Sequence, residues 1–134
     1  MDDFYKEHIL DHYRHPRNFG SLPDAKIHCT DRNPLCGDEV HVDIDTDEQG
    51  CITAMKFSGK GCAISQAAMS MLGESLAGKT LTEVAQLSKE TVLDELGIGI
   101  SPARMKCALL GLKVVKSAAL GELARWPDEE VSET

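Results

Sequence analysis

The chain has 134 residues, of which 42% are hydrophobic and only 4% aromatic, and its formal net charge is −8. This length and composition allow one domain with an aliphatic core. The acidic balance, 22 acidic against 14 basic residues, argues against unassisted binding to nucleic acid or to anionic membranes. No run approaches the roughly 20 apolar residues of a membrane span, and the start lacks the basic and apolar regions of a secretion signal. We therefore expect a cytoplasmic protein whose partners are proteins or metal ions, not nucleic acid or membrane.

The first half of the chain predicts one helix followed by three strands. Tyr5, Ile9 and Tyr13 recur at helical spacing, so a short helix is predicted from a cap at Asp3 to Tyr13. Alternation of apolar and polar residues then predicts strands around 25–29, 40–45 and 51–58, the last after a glycine-containing turn at 47–50. Such a series of strands forms a small antiparallel sheet.

The second half is helical in pattern, with four predicted helices. The first has an apolar stripe at spacings of three and four residues, and the last is apolar on more than one side, which predicts burial. Serine or threonine caps mark the later starts, one in a capping box and one followed by proline. The helices are predicted to begin near Cys62, Thr80, Ser88 and Ser101, with ends at Gly78 and Gly97 for the first and third.

Strands followed by helices predict an α+β fold, with a three-stranded antiparallel sheet and helices packed on one of its faces. We expect residues 1–126 to form a single domain. Residues 127–134 are acidic and include one large aliphatic residue, so we expect them to be a disordered tail.

Three of the five cysteines stand at the edges of predicted elements. Cys36 lies in a turn between two strands, and Asp38 follows it by two residues. Cys62 lies where a strand pattern ends and a helical one begins, and Cys107 falls in the early turns of the last helix. Loop tips and helix starts are where a scaffold can bring distant ligands together, which indicates one assembled thiolate site.

The chemistry of these four residues is compatible with two kinds of metal site. Helix N-termini stabilise negative charge and so favour the thiolate form of a nearby cysteine. Three thiolates and one carboxylate can complete a tetrahedral zinc site or ligate an iron–sulfur cluster. The carboxylate of Asp38 is a hard donor and should bind cluster iron less firmly than a thiolate does. Such a site would be easier to load and unload than one with four cysteines.

Four segments of the sequence together resemble the U-type iron–sulfur cluster assembly family, which comprises IscU, SufU and the N-terminal domain of NifU. The resemblance covers most of the chain and keeps the four segments in the family's order. They are His12-Tyr13-Arg14-His15-Pro16-Arg17-Asn18-Phe19-Gly20, Asn33-Pro34-Leu35-Cys36-Gly37-Asp38, Gly59-Lys60-Gly61-Cys62-Ala63-Ile64-Ser65 and Arg104-Met105-Lys106-Cys107-Ala108.

The resemblance implies that Cys36, Asp38, Cys62 and Cys107 ligate the metal or the nascent cluster. It also implies that the three cysteines are the candidate acceptors of sulfur and that a cysteine desulfurase donates it. A transient iron–sulfur cluster of the [2Fe–2S] type would then pass to recipient apo-proteins or carrier proteins, and zinc would occupy the cluster-free form.

Two departures separate the chain from the main branches of that family. The Isc branch usually has histidine before the third cysteine and a Leu-Pro-Pro-Val-Lys segment recognised by its chaperone, where this chain has Lys106 and residues 100–104. The basic residues Arg104 and Lys106 are similar to SufU. However, SufU proteins typically carry an insertion between the second and third cysteines, and only 44 residues separate Cys62 from Cys107.

Three functions therefore remain open at this point. The first is a non-enzymatic scaffold that assembles and transfers a cluster, the second a zinc-dependent sulfur acceptor, or sulfurtransferase, that stimulates a desulfurase, and the third a structural zinc interaction module. Simpler interpretations apply to single residues. Asp38 could merely cap its turn, Lys106 could be a solvated helix lysine or a counter-charge for the site, and Cys29 and Cys51 are expected to be small buried hydrophobic residues. The five histidines are expected to be surface or packing residues rather than ligands.

Overall fold

An antiparallel sheet covered by helices makes up the described part of the chain, and its α+β class is the one predicted. The structure, a computed structural model, describes residues 2–35 and 37–129, with only the backbone of residues 2 and 3. The helices are α1 (Asp2–Arg14), α2 (Ala63–Leu76), α3 (Leu81–Ala85), α4 (Lys89–Leu96) and α5 (Met105–Leu120). The strands are β1 (Ile27–Arg32), β2 (Glu39–Thr46) and β3 (Ile52–Lys60), and short 3-10 turns span Pro102–Arg104 and Pro127–Glu129.

The sheet has the strand order β1-β2-β3 and two chemically different faces. On the inner face Val42 pairs with Cys29 on one side and with Phe57 on the other, and both Val42 and Phe57 are fully buried against the helices. On the outer face His28 pairs with Asp43. Successive side chains of a strand point to opposite faces, so the alternation read from the sequence gives this division directly.

Helices α2 and α5 form the centre of the helical layer. Leu72 and Leu109 are fully buried in the core that these helices share with the sheet. A Cβ atom on Gly111 of α5 would lie 2.7 Å from the Met69 sulfur of α2. A larger residue would therefore have to displace the Met69 side chain, so glycine allows the two helices to approach closely.

The first of the four motif segments ties α1 to the rest of the fold. His12 is buried, and its Nδ1 is 2.7 Å from the Ser70 hydroxyl of α2, which also accepts a 2.8 Å hydrogen bond from the Arg17 amide. Residues 18–20 then pair with β3. The Phe57 amide donates to the Asn18 carbonyl, and the Gly20 amide donates to the Phe57 carbonyl. This segment therefore has a packing role in the structure.

The boundaries differ from the predictions at several places, and β1 spans Ile27–Arg32 instead of the predicted 25–29. Helix α1 begins at Asp2, so Asp3 lies in its first turn and is not its cap; an acidic residue is favourable at either position. Strand β3 runs from Ile52 to Lys60, while Cys51 forms an isolated bridge with Thr80. Ser101 opens a 3-10 turn that continues into α5, because the proline after it fits the first turn of any helix.

The acidic tail expected from residue 127 onward is described only in part. Residues 127–129 of the expected tail form a 3-10 turn, and residues 130–134 lie outside the described residues. No helix in the described part is long and apolar enough to cross a membrane.

A titratable cluster lies where α1, α2 and α4 meet. His12, Glu74 and Glu95 line a shared cavity, and Oε1 of Glu95 has no hydrogen-bond partner among the described residues. Burial, with a smaller contribution from Glu74, raises the pKa of Glu95 to about 7. Burial is also the main reason that the pKa of His12 is lowered.

We expect Glu95→Gln to stabilise the protein at pH 8 by about 1–2 kcal/mol, a value discounted from the full shift because the carboxyl is only partly buried. The folded-state pKa lies above that of the unfolded chain, so protonation favours the fold. Its stabilising contribution is complete below about pH 4.5 and is lost as the pH rises through about 7. Urea unfolding at pH 5 and pH 8 measures this, with Asp94→Asn, an exposed carboxylate on the same helix, as the control. A gain in stability from Glu95→Gln that is equal at both pH values would contradict the raised pKa of Glu95.

Candidate metal centre

Three chain segments bring their polar groups together at one end of the sheet. They are the β1–β2 turn, the junction between β3 and α2, and the first turn of α5. One ligand atom each from Asp38, Cys62 and Cys107 lies within 4.8 Å of the others. Three of the four predicted site residues thus converge, and the fourth, Cys36, lies outside the described residues.

Asp38 is fixed by the turn that precedes it. Its backbone carbonyl accepts a 2.8 Å hydrogen bond from the Asn33 amide, and the Gly37 amide donates to the Asn33 carbonyl at 2.9 Å. Gly37 has φ +77°, a left-handed conformation that glycine adopts without strain. The Asp38 residue is only 5% exposed, and its carboxylate accepts from the Cys62 amide at 3.3 Å. The carboxylate therefore points into the cluster rather than capping its own turn.

Cys62 is the N-cap residue of α2 and has the extended backbone of a cap, with φ −72° and ψ 169°. Its side chain makes no capping bond; the thiol instead donates to Oδ2 of Asp38 at 3.8 Å. Ser65 donates its hydroxyl to the Cys62 carbonyl at 3.1 Å and so supports the first turn. The sulfur is thereby left on the side of the carboxylate, and the residue is partly exposed.

Gly61 is required by the closeness of this packing. A Cβ atom at position 61 would lie 2.8 Å from Oδ1 of Asp38 and 2.4 Å from the Ser65 hydroxyl oxygen. Real Cβ atoms essentially never approach other atoms so closely. The glycine before the second cysteine therefore leaves the space that the carboxylate occupies.

Cys107 is the third residue of α5 and is buried, with 5% exposure. The side-chain amide of Asn33 donates to its sulfur at 3.8 Å, across 74 residues of sequence. Oδ1 of the same side chain accepts from the Leu35 amide at 3.1 Å, which is an Asx turn. Asn33 thus links the turn to α5, a role that sequence reasoning missed. Asparagine before proline in the turn was the available signal.

The side chain of Lys106 contacts the segment that follows α5. Its ammonium group is 2.5 Å from Glu129, 3.5 Å from Asp128 and 4.5 Å from the centre of the Trp126 ring. Burial lowers the pKa of Lys106, but the two carboxylates outweigh this effect and the net pKa is raised. The lysine is therefore charged and paired within the protein, which argues against the solvated lysine, one of the two alternatives that the sequence left open.

Among the described residues, Cys29, Cys51 and the histidines are not part of this cluster. Cys29 and Cys51 are partly buried, and burial raises the pKa of the Cys29 thiol, which disfavours its thiolate. The cluster of Asp38, Cys62 and Cys107 includes no histidine within the described residues.

The donor set fits a thiophilic metal. Bond lengths of about 2.3 Å for zinc to sulfur and 2.1 Å for zinc to oxygen place the donors of a tetrahedral site about 3.6 Å apart. The separation between the Cys62 sulfur and Oδ2 of Asp38 is 3.8 Å, close to that value. Both cysteines also lie at the N-terminal ends of long helices. The three groups could ligate a metal with little rearrangement and leave a position for one more donor.

Fold and site together define a class: a small α+β protein with a candidate metal centre of two thiols and a carboxylate, in which each cysteine lies at a helix start. The profile of the family described as "NifU-like N terminal domain" matches residues 4–125. The chain belongs to this family.

Relatives of two kinds are similar to it over most of their length. The zinc-dependent sulfurtransferase SufU of Bacillus subtilis is 32% identical over 139 aligned positions, covering 91% of this chain and 93% of that protein. The iron–sulfur cluster assembly scaffold protein IscU of Haemophilus influenzae is 34% identical, covering 85% of this chain and 91% of that protein. A crystal structure of a putative SUF-system scaffold protein from Fervidobacterium islandicum superimposes with TM-score 0.74 and 28% identity, covering 84% of this chain and 94% of that one.

Proposed function

We propose that this protein assembles a transient iron–sulfur cluster from iron and desulfurase-derived sulfur and transfers it to apo-proteins. The observation that carries the proposal is the convergence of Asp38, Cys62 and Cys107, a carboxylate between two thiols, in a member of this family. Cys36 is proposed as the remaining ligand, because the motif places it two residues before Asp38. The sulfur acceptance proposed for this site needs reduced cysteines, which persist in the cytoplasm, and a cytoplasmic location is therefore part of the proposal.

The chemistry of the centre suits a cargo that must leave. A buried Cys107 and a partly exposed Cys62 give the cluster one sheltered and one accessible thiolate. The hard oxygen of Asp38 is a weaker iron ligand than either sulfur and provides a point for ligand exchange. A [2Fe–2S] cluster is the form we propose, with zinc in the cluster-free protein.

Sulfur delivery follows from thiolate chemistry. A cysteine thiolate of the site attacks the terminal sulfur of a desulfurase persulfide, and the desulfurase cysteine leaves as a thiolate. The new S–S bond replaces the old one, so this step needs no external oxidant. We propose a cysteine desulfurase as the donor and apo-proteins or carriers as the recipients.

A zinc-dependent sulfur acceptor is the second candidate function. The identity to the Bacillus sulfurtransferase favours it, as do Arg104 and Lys106 before the third cysteine. Against it, the alignment spans 139 positions whereas this chain has 134 residues, so that relative has segments that this chain lacks. We therefore place the scaffold function first.

Anaerobic reconstitution tests the two functions against each other. Metal-free protein receives ferrous iron, cysteine and a catalytic amount of desulfurase, and absorption spectra and activation of an apo-ferredoxin are recorded. A scaffold develops sulfide-to-iron charge-transfer bands that require Cys36, Cys62 and Cys107, and then activates the ferredoxin. If no transferable cluster forms, while the zinc form stimulates the desulfurase and becomes persulfidated, the acceptor function replaces the scaffold. Finding zinc in the purified protein would not distinguish the two functions, because zinc outcompetes ferrous iron for such ligands.

Metal removal is expected to lower the melting temperature by roughly 5–15 °C without unfolding the protein. A ligand present at about 100 times its dissociation constant stabilises by about 2.7 kcal/mol, which sets the size of the shift. The core of the sheet and of α2 and α5 is fully buried without any metal contact, so the apo-protein should still fold. Thermal melts by circular dichroism, with and without chelator, measure this. A wholly unfolded apo-protein would indicate a structural zinc module instead.

A further inference from the structure

A second cluster of metal-ligating groups lies on the outer face of the sheet, away from the thiols. His28 of β1 and Asp43 of β2 are register partners, and His41 precedes Asp43 by two residues on the same face. Nδ1 of His28 and Nε2 of His41 each lie 2.6 Å from Oδ1 of Asp43. The three ligand atoms all lie within 4.8 Å of one another.

Asp43 is a buried charge at the centre of this cluster, with only 2% exposure. Burial alone would raise its pKa, but hydrogen bonds from the two imidazoles and from the Leu22 amide outweigh burial and lower that pKa. The carboxylate is therefore ionised at neutral pH. A buried anion faced by two imidazole nitrogens is an environment that favours a cation.

We propose that His28, His41 and Asp43 form a second site, for a divalent transition-metal ion of the zinc or ferrous type. Two imidazole nitrogens and one carboxylate oxygen are a donor set that such ions accept, with solvent in the remaining positions. The site shares no residue with the thiolate centre and does not depend on the function proposed above.

The groups around the cluster are arranged as supports for ligands. Nδ1 of His41 is 2.5 Å from the Thr30 hydroxyl oxygen, which can accept a hydrogen bond from Nδ1–H. In that tautomer Nε2 carries the lone pair that binds the metal. Oδ2 of Asp43 accepts a 2.8 Å hydrogen bond from the Leu22 amide. This bond fixes the orientation of the carboxylate, while its other oxygen, Oδ1, faces the imidazoles. Ligating histidines and carboxylates usually have such partners, and these tune affinity about 10- to 100-fold.

Metal entry requires a small opening of the cluster. The hydrogen-bonded nitrogens lie 2.6 Å from the carboxylate oxygen, whereas tetrahedral zinc ligands of this type lie about 3.3 Å apart. Each imidazole must therefore retreat by about 0.7 Å. Space exists for this movement, since the side chains of His28 and His41 are 44% and 33% exposed.

Cobalt titration of the full chain tests the proposal, because thiolate ligands give intense charge-transfer absorption and nitrogen and oxygen ligands do not. In a Cys36→Ser/Cys62→Ser/Cys107→Ser variant, which lacks all three candidate thiolate ligands, we expect one equivalent of cobalt to bind without that absorption. Adding His28→Asn and His41→Asn should weaken this binding at least 100-fold, and Thr30→Val alone should weaken it about 10-fold. Replacing His8 and His15, exposed imidazoles on and just after α1, should change nothing.

Two results would overturn the proposal: no cobalt bound by the cysteine variant, or binding that survives loss of both imidazoles. Circular dichroism verifies the fold of each variant. If the cysteine variant does not fold, the wild-type chain is titrated instead. It must then bind a second equivalent without charge-transfer absorption, and that equivalent must disappear in His28→Asn/His41→Asn.

Discussion

Asp38→Ala is expected to slow cluster transfer to an apo-ferredoxin by about tenfold or more while the assembled cluster stays bound. The carboxylate is the hard ligand among thiolates, and its loss removes the easiest point for ligand exchange. Tenfold corresponds to about 1.4 kcal/mol of transition-state stabilisation, a modest share of one ligand bond. The fold should persist, because the turn is closed by backbone hydrogen bonds between Asn33 and residues 37 and 38. Selectivity among metals should also weaken in this variant.

Transfer rates under anaerobic conditions measure this prediction. Glu39→Ala is the matched control, since Glu39 is the next residue and pairs with Arg32 outside the cluster. Transfer from the control should match that from the wild type. Unchanged or faster transfer from Asp38→Ala would refute the role of the carboxylate as the labile ligand.

Gly61→Ala is expected to weaken metal binding at the thiolate centre by about 100-fold with little loss of secondary structure. The added Cβ would lie 2.8 Å from Oδ1 of Asp38, and the carboxylate is the group that can move. Displacing it removes one ligand and the hydrogen bond to the Cys62 amide. Competition with a chromogenic zinc chelator gives the dissociation constant.

Gly99→Ala provides the matched control for this substitution. No atom lies within 4 Å of the position that its Cβ would take, and neither Gly61 nor Gly99 has a left-handed backbone. The control should therefore bind zinc like the wild type. In Gly61→Ala/Asp38→Ala the two effects should not add, because the clash acts through the carboxylate. Additive losses would show that Gly61 acts by another route.

Local signals in the sequence predicted the fold well. The capping box is confirmed, since the Glu83 amide donates to the Thr80 hydroxyl and the Glu83 carboxylate accepts from the Thr80 amide. Alternation in β2 gave its buried face, and Gly97 ends α4 in the left-handed conformation. These features depend on neighbours within four residues, which the sequence displays directly.

Contacts between distant segments were harder to predict. The motifs indicated that Asp38, Cys62 and Cys107 would lie together, and they do, although their role as ligands stays a prediction. The bond from Asn33 to Cys107 depends on how α5 packs on the sheet, which no periodicity encodes.

The histidine pair on the outer face shows the same limit. His28 lies at an exposed position of β1 and His41 at a partly exposed position of β2, but only the register of the two strands places both beside Asp43. A shift of one residue would have moved them to opposite faces. Alternation alone does not fix that register.

The separation of the thiolate-site residues along the chain has a consequence for synthesis. Asp38 and Cys62 belong to neighbouring elements, but the contact of the turn with Cys107 closes a loop of 74 residues. Hairpins and helices with local contacts form early, whereas contacts between distant residues form late. During translation the half-exposed Cys62 therefore emerges before its buried partner on α5. A growing chain therefore cannot complete the proposed centre until the last helix docks on the sheet.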